Sequence, residues 1–68
     1  MGVSVFIERT GKRLRVEIPR GYTVKSLLGK LKINPVSVLV SINNEICTEN
    51  EVIKDDDSVE IFSVVSGG

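Results

Sequence analysis

Polar and apolar positions alternate with a period of two over residues 3 to 8. Val3, Val5 and Ile7 fall on one side; Ser4, Phe6 and Glu8 fall on the other. Successive side chains of a strand point to opposite faces, so this pattern predicts a strand with one face buried. The alternation resumes over residues 13 to 18, with Leu14, Val16 and Ile18 opposed to Arg13, Arg15 and Glu17. Arg9-Thr10-Gly11-Lys12 supplies a turn with a glycine, and the first third reads as a hairpin. Charges on the outer side of the second strand discourage pairing with other chains.

After Pro19 and Gly21 the period lengthens. Val24, Leu27, Leu28 and Leu31 stand at i, i+3, i+4 and i+7, which predicts an amphipathic helix over residues 24 to 31. Thr23 suits its N-cap, although Ser26 stands where a capping box would hold Glu or Gln. Gly29 weakens the helix by about 1 kcal/mol relative to alanine. Lys30 and Lys32 suit its C-terminal end, and Asn34-Pro35 stops it. Period two returns over residues 36 to 42, with Val36, Val38, Val40 and Ile42 as the alternate set of a third strand. Asn43-Asn44 is a turn pair that tolerates left-handed backbone. Residues 45 to 47 are at most a short strand, and residues 48 to 54 are irregular, with room for one helical turn. Asp55-Asp56-Asp57-Ser58 is an acidic turn, and residues 59 to 65 are the last strand. The expected fold class is α+β: a mixed sheet of four to five strands with one helix packed on one face. Val3, Val5, Val16, Leu27, Leu28, Leu31, Val59 and Ile61 are its expected core.

Composition narrows the function classes. The 68 residues make one small domain, and 41% are hydrophobic. Nine basic and nine acidic residues cancel, so no long-range attraction to nucleic acid or an anionic membrane is expected. The charges are segregated. Lys12, Arg13, Arg15 and Arg20 lie early, while Glu51, Asp55, Asp56, Asp57 and Glu60 lie late. Two readings are open: two solvated faces of opposite sign, or a docking surface for an oppositely charged partner. One cysteine and no histidine exclude an internal disulfide and suit a reducing compartment. With no long apolar run and no charged-then-apolar leader, the expected location is the cytoplasm.

Three features are candidates for chemistry or recognition. Phe6 and Phe62 fall on the parity opposite the core, and Val64 continues it. If the first and last strands pair, the two rings are neighbours, either as docking anchors or as rings covered by a loop. Cys47 reads as a small hydrophobe, or as a thiol that forms a mixed bond with a partner; no basic neighbour in sequence activates it. The three aspartates read as a solvated turn rather than a metal site, because adjacent acids rarely aim at one ion. No catalytic cluster or phosphate-binding loop is legible, so the chain is not expected to be an enzyme.

The sequence ends Phe62-Ser63-Val64-Val65-Ser66-Gly67-Gly68. Two glycines present no side chain, so a narrow channel can admit the backbone and bring a terminal carboxylate to a catalyst. The alternative is a frayed end. Together with Val40-Ser41-Ile42-Asn43-Asn44-Glu45 and Asp56-Asp57-Ser58-Val59-Glu60-Ile61, this ending resembles the ubiquitin-like β-grasp sulfur carriers of the ThiS/MoaD family. Asn44 stands near where that family usually has a glycine. The resemblance implies a β-grasp domain over residues 1 to 65 and a flexible tail over residues 66 to 68. It implies that Gly68 is the activated C-terminus, that Ser66 and Gly67 thread into the partner, and that Phe6, Phe62 and Val64 dock it. No cofactor is implied on the chain itself; ATP and Mg²⁺ are used by the partner.

The implied partners are an adenylating, E1-like enzyme, a sulfur donor, and thiazole synthase or another sulfur-accepting enzyme. The free carrier is expected to be a monomer. Thiamine thiazole synthesis is the expected pathway. Molybdopterin synthesis, tRNA thiolation, or protein modification through an isopeptide bond at Gly68 are the alternatives.

Overall fold

The computed structural model describes residues 1 to 64. The elements run β1 (Gly2–Ile7), β2 (Lys12–Glu17), α1 (Val24–Lys30), β3 (Val38–Ile42), β4 (Glu45–Cys47) and β5 (Ser58–Ser63). They form one sheet in the order β2-β1-β5-β3-β4, with β1 and β5 parallel at its centre and the other neighbours antiparallel. The helix covers one face. The expectation of a mixed sheet gripping one helix holds.

The core follows the alternation. Val3, Val5, Val59 and Ile61 are almost wholly buried, as are Val24, Leu27 and Leu28 from the helix. Val16 and Ile18 close one side and Val40 the other. Leu31 only packs half-buried against this cluster. Leu14 lies opposite Val5 but near the margin of the sheet, and it is exposed.

The first three amides of the helix all have acceptors. Thr23 caps it, its Oγ1 accepting the Ser26 amide at 3.2 Å. The Val24 and Lys25 amides donate to the carbonyls of Glu51 and Glu49, at 3.0 and 2.8 Å. These are the donors a helix cannot satisfy internally. The segment after β4 supplies the missing acceptors, forms an isolated bridge from Val52 to Thr23, and drives Ile53 into the core at 0% exposure. It is irregular, as expected, and holds one hydrogen-bonded turn, in which the Glu51 amide donates to Thr48 O at 3.2 Å.

Three expected boundaries move: the last strand, expected over residues 59 to 65, runs Ser58–Ser63 and leaves Val64 outside it, and two others shift near the helix end. The helix stops before Asn34-Pro35. Lys32 takes a left-handed φ of 60°, its amide donates to Gly29 O, and the Ile33 amide donates to Leu28 O. That is a Schellman stop, with the apolar contact between Ile33 and the core that accompanies it. The third strand begins at Val38, not at residue 36. Pro35–Ser37 is a single 3-10 turn, because Asn34 Oδ1 accepts the Val36 amide at 3.0 Å. Val36 is therefore 86% exposed. Local side-chain capping overrides the apolar alternation there.

The turns fit their residues. A four-residue loop joins β1 to β2, with Gly11 at φ 70°. Asn43 and Asn44, at φ 52° and 71°, close the two-residue β3–β4 hairpin; both positive angles are what such a turn requires.

Candidate functional site

Three structural features converge on β5: an uncovered outer sheet face, a built acidic turn at its start, and the exit of the chain at its end. The strand registers arrange the outer face in rows. One row crosses all five strands: Arg13, Phe6, Glu60, Ser41 and Ile46. The next contains Phe62 and Leu39 side by side. Phe6 and Phe62 thus occupy diagonal positions on adjacent strands, both half-buried and both outside the helix-covered core. The Arg13 guanidinium lies 5.3 Å from the centroid of the Phe6 ring, and its Nη1 donates to Ser4 Oγ at 3.1 Å. A cation so placed is attracted by the ring face.

Val64 follows β5 and is 44% exposed. Its amide donates to Ser37 O at 3.0 Å, extending the β3–β5 ladder by one step. The structure therefore brings Phe6, Phe62 and Val64 to one side of the sheet. Ser66, Gly67 and Gly68, with the expectation of a mobile tail, lie outside the described residues.

Leu39 and Ile46 belong to the same face and were not foreseen as part of it; they are 47% and 64% exposed. The signal was present in the sequence. Val38-Leu39-Val40 places an apolar residue on the polar parity, as Val5-Phe6-Ile7 and Ile61-Phe62-Ser63 do. Ser41 and Glu60 were not foreseen as a bonded pair on this face. Ser41 is 3% exposed although it faces away from the helix, and its hydroxyl donates to Glu60 Oε1 at 3.1 Å.

The three aspartates have separate tasks. Asp55 Oδ1 accepts the Gly2 amide at 3.0 Å and ties the turn to β1. Asp56, at φ 65°, pairs with Arg15 at 3.4 Å. Asp57 accepts the Lys54 amide at 2.8 Å and the Asn43 amide nitrogen at 3.0 Å. Asn43 in turn accepts the Ser58 amide, which locks the start of β5. Their carboxylates are thus spent on the turn rather than gathered at one point.

Cys47 is half-buried, and its thiol donates to Val40 O at 3.6 Å. Burial, and secondarily the Glu51 carboxylate, push the thiol pKa up. A thiol in that state is a poor nucleophile at neutral pH. Its surroundings support the packing reading.

Comparison with known proteins agrees with this geometry. The ThiS family model matches residues 4 to 68. Sulfur carrier protein TtuB of Thermus thermophilus is 28% identical over 60 residues, covering 88% of this chain and 92% of that protein. The crystal structure of the thiamine biosynthesis protein ThiS from Geobacter metallireducens covers both chains in full, with 29% identity and a TM-score of 0.72. The crystal structure of SAMP1 from Haloferax volcanii also covers both chains in full, with a TM-score of 0.77; at 19% identity it supports the fold alone. With a family match that runs from residue 4 through β5 to the Gly67-Gly68 ending, this chain belongs to the ThiS family of ubiquitin-like sulfur carriers.

Proposed function

We propose that Gly68 is the working group of this carrier. A partner adenylating enzyme uses ATP and Mg²⁺: the carboxylate attacks the α-phosphorus and pyrophosphate leaves. A sulfur donor then displaces AMP from the acyl carbon, and the resulting thiocarboxylate delivers sulfur to thiazole synthase for thiamine. The observation that carries this reading is the family match, which runs through the di-glycine to residue 68. Chemistry supports it, because a carboxylate is a poor acyl donor and adenylation gives it a good leaving group. The chain is the carrier and does not catalyse these steps.

The geometry suits the division of labour. Val64 is still bonded to Ser37 at the end of the β3–β5 ladder, so residues 65 to 68 span at most about 14 Å. The docking surface must therefore lie close to the enzyme's catalytic centre. The positions of Phe6, Phe62 and Val64, on the outer face and near the end of β5, support their assignment as the docking residues. Ser66 and Gly67 thread the channel.

The 29% identity to a thiamine biosynthesis protein favours the thiazole pathway. The 28% identity to the sulfur carrier protein TtuB supports the carrier chemistry itself; delivery to molybdopterin or tRNA thiolation is the second reading. Intact-mass measurement of the protein isolated from its own cell tests the proposal. A gain of about 16 Da, oxygen replaced by sulfur at the acyl carbon, is expected. Covalent conjugates to other proteins would instead mark a modifier. Full ATP–pyrophosphate exchange by a carrier lacking Gly68 would refute activation at that residue.

A further inference from the structure

Around Glu60 the outer face carries the apolar side chains of Phe6, Phe62, Leu39 and Ile46, with Ser41 and Arg13 in the same row as Glu60. Glu60 stands between Phe6 and Ser41 across the strands, with Phe62 two residues further along β5. It is half-buried, and among the described residues its carboxylate has one hydrogen-bond partner, the Ser41 hydroxyl at 3.1 Å. The ion pairs of the described residues, Met1 with Glu17 and Arg15 with Asp56, do not include it. Ser41 itself is 3% exposed, so the bond holds the carboxylate at a fixed place on the face.

A partner that lies on Phe6, Phe62 and Leu39 must strip water from Glu60. A carboxylate removed from water without a counter-charge is strongly disfavoured. The partner surface has to bring a donor, and a guanidinium matches a carboxylate with two parallel N–H groups. We propose that the adenylating enzyme which seats on this face carries an arginine directed at Glu60, set among apolar side chains, and that Glu60 is a specificity-determining residue for that partner.

The inference rests on the function proposed above. The row also has a polarity. Arg13 lies at the Phe6 end and Glu60 on its other side, so a cationic partner group is attracted at one position and repelled two strands away. Such an arrangement fixes orientation as well as partner choice.

The test is ATP–pyrophosphate exchange, with the purified adenylating enzyme of the source cell as the probe. Glu60→Gln keeps the size and the acceptor for Ser41 and removes the charge. It should raise KM at least about tenfold and leave kcat unchanged, as expected when one side of a desolvated charge pair is lost. Glu60→Lys should abolish exchange at the same carrier concentration. Raising the salt concentration should weaken the wild-type carrier more than the Gln variant. An unchanged KM for Glu60→Gln, with wild-type exchange intact, overturns this inference and leaves the function standing. Absence of exchange by the wild-type carrier overturns the function and this inference with it. If Glu60→Gln lowers the thermal midpoint, the wild-type salt dependence decides, and exchange indifferent to ionic strength overturns the role of Glu60.

Discussion

Replacing Ile53 with alanine tests whether the irregular segment between β4 and β5 is part of the core. Ile53 is completely buried, and its amide donates to Tyr22 O at 2.8 Å. The substitution keeps that bond and removes three carbons. At about 0.8 kcal/mol for each buried methylene-sized group, the transfer cost is about 2.4 kcal/mol. The cavity left behind adds to it, within the usual limit of about 5 kcal/mol. A domain of 68 residues has a total stability of about 3–10 kcal/mol, so this one change removes a large share. The thermal midpoint should fall by about 10 °C or more. Urea unfolding should show a lower midpoint with an unchanged slope. Hydrogen exchange should also accelerate at the Val24 and Lys25 amides, whose acceptors lie on the same segment. A loss below about 0.5 kcal/mol, typical of a surface change, would show that the segment only lies against the helix and does not hold it.

Other changes probe other links. Phe62→Ala should weaken binding to the adenylating enzyme by about 2 kcal/mol, or about thirtyfold in the KM of exchange, with the folded spectrum retained; collapse of the fold would put the ring in the core. Lys32→Gly should stabilise the domain by about 0.5–1 kcal/mol in denaturant unfolding, because glycine meets the left-handed φ of 60° without a Cβ clash; a loss of stability would deny the strain. Cys47 has a thiol pKa raised by burial and by Glu51. Its contribution to stability is complete below the unfolded-state pKa and is lost as pH climbs through the folded one. The stability difference between wild type and Cys47→Ala should therefore shrink on the alkaline side, and a difference independent of pH would contradict the buried setting.

Much of the fold was legible because tertiary packing agrees with local pattern. The alternation of Val3, Val5 and Ile7 against Phe6 told both faces of β1 before any contact was known. Leu27 and Leu28 announced the buried side of α1. Asn43-Asn44 announced positive φ. What escaped was set by contacts between distant segments or by a single side chain. Ile53 sits in a stretch with no period, and only the unsatisfied amides of a helix 28 or more residues earlier explain its path. The start of β3 was decided by Asn34 capping its own turn, a local bond that outweighs four alternating apolar residues. Leu39, Ile46 and Glu60 join Phe6 and Phe62 only through strand register, which no single segment carries. Reading apolar residues on the polar parity of several strands together would have found most of the face.

The place of β5 in the sheet has a mechanical consequence. β5 is bonded to β1 along one side and to β3 along the other. A pull on the chain beyond Ser63 along the strand axis loads both ladders in shear. The hydrogen bonds then share the force and must break together, instead of opening one at a time like a hairpin pulled at its end. The parallel pairing of β1 and β5 also means that tension between residue 1 and the exit runs through the centre of the core rather than around its edge. An enzyme that draws the end of this chain into a channel can therefore haul on it without unravelling the domain that is docked outside.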